Sequence, residues 1–242
     1  MSELSGFGRL RPTRRARRWL ALALLPLKLA ALAVLPFVLL IRGSTYLYSS
    51  HGWTTWLALV VSLAATLVVV VLYLSLVYAL AFGVDKISER TVRAKLVLAV
   101  AIVLGYGAFT QLYLSSTNAK SAEVRREYRA LHPILRLGVS TVILVDSELL
   151  VTDMARAAAD YERMGLAENR RSLHYPQEDG YVHAVDLRTV GRGRTRNWLL
   201  QAYFRLMGFH TLRHVGTADH LHVSLPLPSE AADGAGRSRA PA

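Results

Sequence analysis

Hydrophobic positions fall into two regimes along the chain. In the first half they form long runs: Trp19–Ile41 is broken only by Lys28, while Trp53–Val84 and Leu96–Ser116 contain no charge. About 20 apolar residues cross the hydrocarbon layer of a bilayer, so these runs predict three transmembrane helices at about 19–41, 54–84 and 96–116. Helices of soluble domains seldom run that far without a charge. Lys28 must snorkel or face neighbouring helices, and Pro26 and Pro36 bend the first span.

The second half has short, mixed segments. Lys120–Arg129 is polar and reads as a juxtamembrane helix whose arginines meet solvent or lipid headgroups. Residues 134–146 are apolar and β-branched and predict one or two strands. Thr152 suits the N-cap of a helix Asp153–Met164 closed by Gly165. Residues 170–188 read as extended. The stretch Gly191–Arg196 is a basic loop, either solvated or gripping an anion, before a helix Asn197–Met207 that stops at Gly208. Residues 209–214 and 219–226 alternate as strands, and the Ala/Gly/Ser/Arg-rich tail 229–242 reads as disordered. The expected organisation is a cytoplasmic N-terminus (1–18), an all-α three-helix membrane region (19–116), an α+β domain (120–228) and the tail.

Composition changes this picture only through where the charge sits. The formal net charge is +12, from 29 Lys+Arg against 17 Asp+Glu. Six arginines precede the first span and Lys86, Arg90, Arg93 and Lys95 surround the second loop, whereas the loop Arg42–His51 holds a single Arg. The positive-inside rule then puts the N-terminus and second loop in the cytoplasm and everything after about Ser116 outside. Trp53 and Trp56 fit the outer aromatic belt. The last 126 residues carry only +3, a mixed surface that gives no footprint for nucleic acid. Twenty-five of the 29 basic residues are Arg, which with abundant Ala and Leu associates with GC-rich bacterial genomes. The lack of cysteine is compatible with either side of the membrane.

Candidate chemistry concentrates in the C-terminal domain, which holds seven of the eight histidines. In Asp219-His-Leu-His-Val-Ser-Leu, His220 and His222 share one face of a strand, as positions i and i+2 must. Two imidazoles so placed can bind a metal or divide ligand and proton-transfer roles, or can simply be solvated. Upstream lie Ser172-Leu-His174 and Ala184-Val-Asp186-Leu. An ionised carboxylate in an apolar strand needs a cation or donors, so Asp186 is either a structural partner of an arginine or a metal ligand. On that strand His183 points away from Asp186, which argues against the two acting as joint ligands.

These residues resemble the LAS metallopeptidases, the group of lysostaphin-type enzymes, D-alanyl-D-alanine peptidases and the hedgehog signalling domain. The ending DHLHVSL is most similar to penicillin-insensitive murein endopeptidases. The resemblance covers about 55 residues, Ser172–Pro226. It implies an antiparallel LAS/hedgehog-like sheet with helices, zinc held by His174, Asp186 and His222, and His220 assisting catalysis. Eleven residues separate His174 from Asp186 where the family usually has six, so His183 or Glu178 stands as a substitute for His174. The family also places a His or Glu three or four residues before H-x-H; the chain has Thr217 and Gly216 there, and His214 takes the role if the turn folds it back.

The resemblance implies a zinc peptidase that cleaves peptidoglycan stem or cross-link peptides, in a bacterial cytoplasmic membrane with its domain on the periplasmic side. Arg188 and Arg170–Arg171 are candidates for a stem-peptide carboxylate, or are solvated. Two alternatives remain: a non-catalytic, zinc-stabilised or peptidoglycan-binding module, and a two-histidine phosphoesterase read from His222-Val-Ser-Leu, which would need a second such motif.

Overall fold

A computed structural model describes residues 25–83, 88–156, 172–216 and 219–228, with positions 23, 162, 165 and 167. By its internal contacts the chain divides into Met1–Pro36 and Phe37–Ala242, and the core and candidate site described below lie in the second unit. The described residues form six α-helices and four strands: α1 (Leu25–His51), α2 (Thr55–Phe82), α3 (Glu89–Leu112), α4 (Ala122–Glu127), α5 (Pro133–Val145), β1 (Val151–Asp153), β2 (Ala184–Arg188), α6 (Arg194–Leu206), β3 (His210–His214) and β4 (His220–Ser224). The class is α+β, as expected.

Three of these helices contain stretches long and apolar enough to cross a membrane: Leu32–His51, Thr55–Phe82 and Glu89–Leu112. Many of their large apolar side chains face outward, including Leu72, Leu80 and Val97, a distribution that suits lipid and would be unfavourable in water. Their ends follow local chemistry. Gly52 and Gly83, both at positive φ, follow α1 and α2, where an L-residue would be strained. Ser88 and Thr91 form a reciprocal capping box that starts α3 within the basic loop, seven residues before the apolar run begins.

The first helix corrects one expectation. Residues 42–51 are not a loop; α1 continues through them to His51. Ser44 and Thr45 donate back to the carbonyls of Leu40 and Ile41 at 2.7 and 2.9 Å, so their polar groups are satisfied inside the helix. The segment is retained because it is buried, with Ile41, Ser44, Thr45 and Tyr48 all shielded from solvent.

A second correction concerns residues 134–146, which are helical and not stranded. His132 caps α5 by accepting from the Ile134 N–H at 3.2 Å, and Pro133 supplies a first-turn φ. Burial on nearly every side then overrides the β preference of the Val/Ile/Thr run, as strand propensity mostly measures packing. Gly138 is required there, because a Cβ would lie 2.9 Å from the Phe209 ring.

Thr152 is likewise no N-cap: it lies in β1 and donates to the Asp186 carbonyl at 3.0 Å. Residues 157–161, 163 and 164 of the expected helix lie outside the described residues, as do Arg170, Arg171 and the tail from 229. In the Gly191–Arg196 stretch, Arg192 and Arg196 pair with the protein's own Asp146, and Arg196 also with Glu148. Helix α6 accordingly starts at Arg194, three residues early.

The sheet is antiparallel in the order β1-β2-β4-β3. Leu187, Val185, Leu221 and Val223 point into a core shared with Leu131, Ile134 and Leu135. Leu40, Ile41, Tyr48 and Ala58 of α1 and α2 belong to the same continuous cluster. The opposite sheet face carries the acid and the histidines.

Candidate metal centre

Strand pairing builds the centre. Asp186 of β2 lies directly across from His222 of β4, and Arg188 across from His220, so all four occupy one face. The segment Ser172–Tyr175 covers that face and delivers His174. It is held by the His183 N–H donating to the Leu173 carbonyl and the Arg156 N–H donating to the His174 carbonyl. Three potential ligand atoms thereby converge. His222 Nδ1 is 2.9 Å and His174 Nε2 is 3.4 Å from Asp186 Oδ1, and the two imidazole nitrogens are 3.3 Å apart. His174 and Asp186 are buried and His222 is partly open.

Protonation logic shows what this triangle needs. The His174 Nδ1–H donates to the Met154 carbonyl at 2.6 Å, a bond that requires a proton on Nδ1. Nε2 of the neutral ring then turns a lone pair toward Asp186 Oδ1, which is repulsive unless a proton or metal cation lies between them. The spacing suits a cation. Four-coordinate zinc with bonds of about 2.0–2.1 Å keeps its ligand atoms about 3.3 Å apart, close to the three edges observed. Histidine and carboxylate donors are also the borderline set that zinc takes.

The other carboxylate oxygen is already engaged. Arg156 Nη2 donates to Asp186 Oδ2 at 2.8 Å, while its Nε reaches Asp153 Oδ2 at 2.5 Å. The arginine partner expected from the sequence is thus found on one oxygen, while the other faces the two imidazoles. Arg156 relieves the repulsion between facing Asp153 and Asp186 and fixes the carboxylate plane. Burial alone would raise the Asp186 carboxyl, but with a proton in the cation's place on the imidazoles, hydrogen bonds and charge from His174 and His222 outweigh it and hold it below the usual carboxylate range.

His220 stands beside the triangle, with Nε2 3.7 Å from Asp186 Oδ2. His214 is its cross-strand partner and stacks on it with ring centroids 4.7 Å apart, which keeps it outside the three-residue group. Glu178 is exposed and joins no cluster among the described residues. Thr217 lies outside the described residues. His210 sits across from Ser224 at the far end of β3, away from His222.

His183 does not replace His174. As strand parity requires, it faces the opposite side, where its Nε2 meets both oxygens of Asp179 at 3.1 and 3.0 Å. His132 completes a second His/Asp group there, with Nε2 2.8 Å from Thr55 Oγ1 and 3.4 Å from Asp179 Oδ2. The tautomer is reversed in this group. His132 Nδ1 accepts from the Ile134 N–H, so Nε2 carries the proton and donates; it has no lone pair for a metal. Burial pushes His132 down to about 4 despite its Asp179 partner. Burial raises Asp179 as well, but the His132 hydrogen bond, the Tyr181 N–H and His183 reverse that and hold it low. We read this second group as a polar clamp in which neutral His132 and His183 Nε2 meet the ionised Asp179 carboxylate. Sequence reasoning missed it, although Asp179-Gly-Tyr-Val-His183 at a turn was a usable signal.

No family model, curated protein or solved structure matches the chain.

Proposed function

We propose that the C-terminal domain is a zinc-dependent peptidase of the LAS type, anchored by its apolar helices in a bacterial cytoplasmic membrane and cleaving peptidoglycan stem or cross-link peptides on the outer side. The convergence of His174, Asp186 and His222 with the inward lone pair of His174 carries this reading. The charge distribution supports the orientation: the basic residues cluster before the first span and around the second loop.

In this assignment His174, Asp186 and His222 would hold the metal, and the partly open His222 would leave its side of the site accessible to water or a substrate carbonyl. Bound zinc supplies Lewis acidity there, bringing the pKa of water to about 7 and polarising the scissile carbonyl. His220 sits on the same strand face within reach of that edge, placed to take a proton from the attacking water and return it to the leaving amine. Stacking on His214 restrains the His220 ring. Arg156 holds Asp186 in register. Arg188, exposed on the same face, is available to a substrate carboxylate.

The test is to incubate the full chain in detergent with purified sacculi, with and without a chelator, and to analyse the muropeptides. New fragments that disappear with chelator and with His220→Ala are expected. Unchanged muropeptides from zinc-loaded protein refute the peptidase. One observation favours a second reading in that case: Arg156 already neutralises Asp186, so the same residues suit a zinc-stabilised, non-catalytic peptidoglycan-binding module.

A further inference from the structure

A cavity of about 470 Å³ opens where α3 ends, and no residue of either His/Asp group lines it. Leu112, Tyr113 and Leu114 line one side, and Arg125, Arg126 and Arg129 with Tyr128 line the other. We propose that it binds a lipid-borne phosphate, either the headgroup of an anionic phospholipid or the diphosphate of a lipid-linked carrier.

Position is the first support. Leu112 is the last residue of a helix long and apolar enough to cross the bilayer, and Leu112 and Tyr113 are exposed by 63% and 54%. An exposed leucine followed by an exposed tyrosine at such a helix end marks the boundary between hydrocarbon and headgroups.

Charge is the second support. Among the described residues none of these three arginines pairs with a carboxylate, whereas Arg156, Arg192, Arg196 and Arg213 all do. Glu123 and Glu127 of the same segment do not line the cavity. All three arginines are exposed, and arginines at the end of a short helix also offset its C-terminal partial charge, but that effect does not require a cavity between them and Leu112–Leu114. Three guanidinium forks match phosphate oxygens bidentately.

The lining selects an amphiphile. Leu112 and Tyr113 offer exposed apolar surface beside the arginines, which suits a phosphate joined to an acyl or polyprenyl tail better than a free anion. The volume lies within the range of small-molecule sites.

The test uses the full chain in nanodiscs of phosphatidylcholine with one-tenth phosphatidylglycerol, followed by native mass spectrometry of retained lipid. Wild type should be enriched in phosphatidylglycerol. Each Arg→Gln change at 125, 126 or 129 should weaken retention about five-fold, and the triple variant on the order of a hundred-fold. Arg194→Gln, on α6, should change nothing. Added polyprenyl diphosphate separates the two sources: displacement of phosphatidylglycerol assigns the site to a lipid-linked carrier, and persistence assigns it to the leaflet's own lipid. Equal retention of both phospholipids by wild type, or undiminished preference in the three single variants, overturns the proposal. Because neither outcome involves zinc, the result is independent of the peptidase reading.

Discussion

Replacing Asp186 by Asn keeps the shape of the residue and removes its charge, so it isolates what the carboxylate does. Structural zinc sites bind with about 10–16 kcal/mol over four ligands, or roughly 2.5–4 kcal/mol per ligand. Losing one anionic ligand should therefore weaken zinc by two to three decades. The variant also takes the Asp186 carboxylate from Arg156 while Asp153 remains. Arg156 is 20% exposed and keeps that second partner, so the stability loss should be about 1–3 kcal/mol, below the 3–5 kcal/mol of a fully buried pair. Competition against a fluorescent zinc chelator measures the first quantity and thermal melting of metal-free protein the second. Asp179→Asn is the internal control. It alters the other His/Asp group, where His132 has no lone pair to offer, and should leave zinc affinity within about three-fold of wild type. If Asp186→Asn binds zinc as tightly as wild type, or if Asp179→Asn loses zinc equally, the tautomer argument fails.

Further outcomes follow from other parts of the chain. His220→Ala should lower muropeptide release by about 10²–10⁴-fold while zinc affinity stays within a few-fold, since His220 lies outside the ligand triangle; an equal loss of zinc would make it a ligand. His132 is buried with its pKa lowered to about 4, so between about 6.5 and 4 the unfolded chain binds more protons than the folded one. Stability should fall across that window as pH falls, by on the order of 3 kcal/mol, and His132→Gln should flatten the dependence of the melting temperature on pH. Asp179, held low when folded, adds its own loss only below the ordinary carboxylate range. Gly208 adopts φ +94° with Arg42 and Thr45 packed over it, so Gly208→Ala should cost about 1–3 kcal/mol in chemical denaturation of the full chain.

What the sequence revealed and hid follows from the range of the interactions involved. Period-2 parity put His220 and His222 on one face and turned His183 away from Asp186, and the β2–β4 register adds that Asp186 faces His222. Strand pairing is blind to the loop carrying His174, because the chain length between that residue and Asp186 says nothing of how the segment folds over the sheet. The α5 run failed in the other direction. Its Val, Ile and Thr residues favour a strand locally, but a His-Pro start and burial against Phe204 and Phe209 decide for a helix. Residues 42–51 read as a loop because the apolar run ends at Ile41, yet the Ser44 and Thr45 hydroxyls are satisfied within α1. Arg156 and the Met154 carbonyl, which set the protonation of the site, are positioned only by tertiary contacts.

The shared core has a consequence for modularity. Tyr48 packs against His132, with ring centroids 4.8 Å apart, and Ser49 donates to the Pro226 carbonyl, so the first helix touches residues from the start and end of the C-terminal region. Cutting the chain at Ser116 would strip Leu40, Ile41, Tyr48 and Ala58 from the hydrophobic cluster and bare its apolar side to water. The anchor is therefore not an interchangeable tether. A gene fusion that gave this domain a different membrane helix, or secreted it without one, would deliver an incomplete fold, so the two halves must be inherited together.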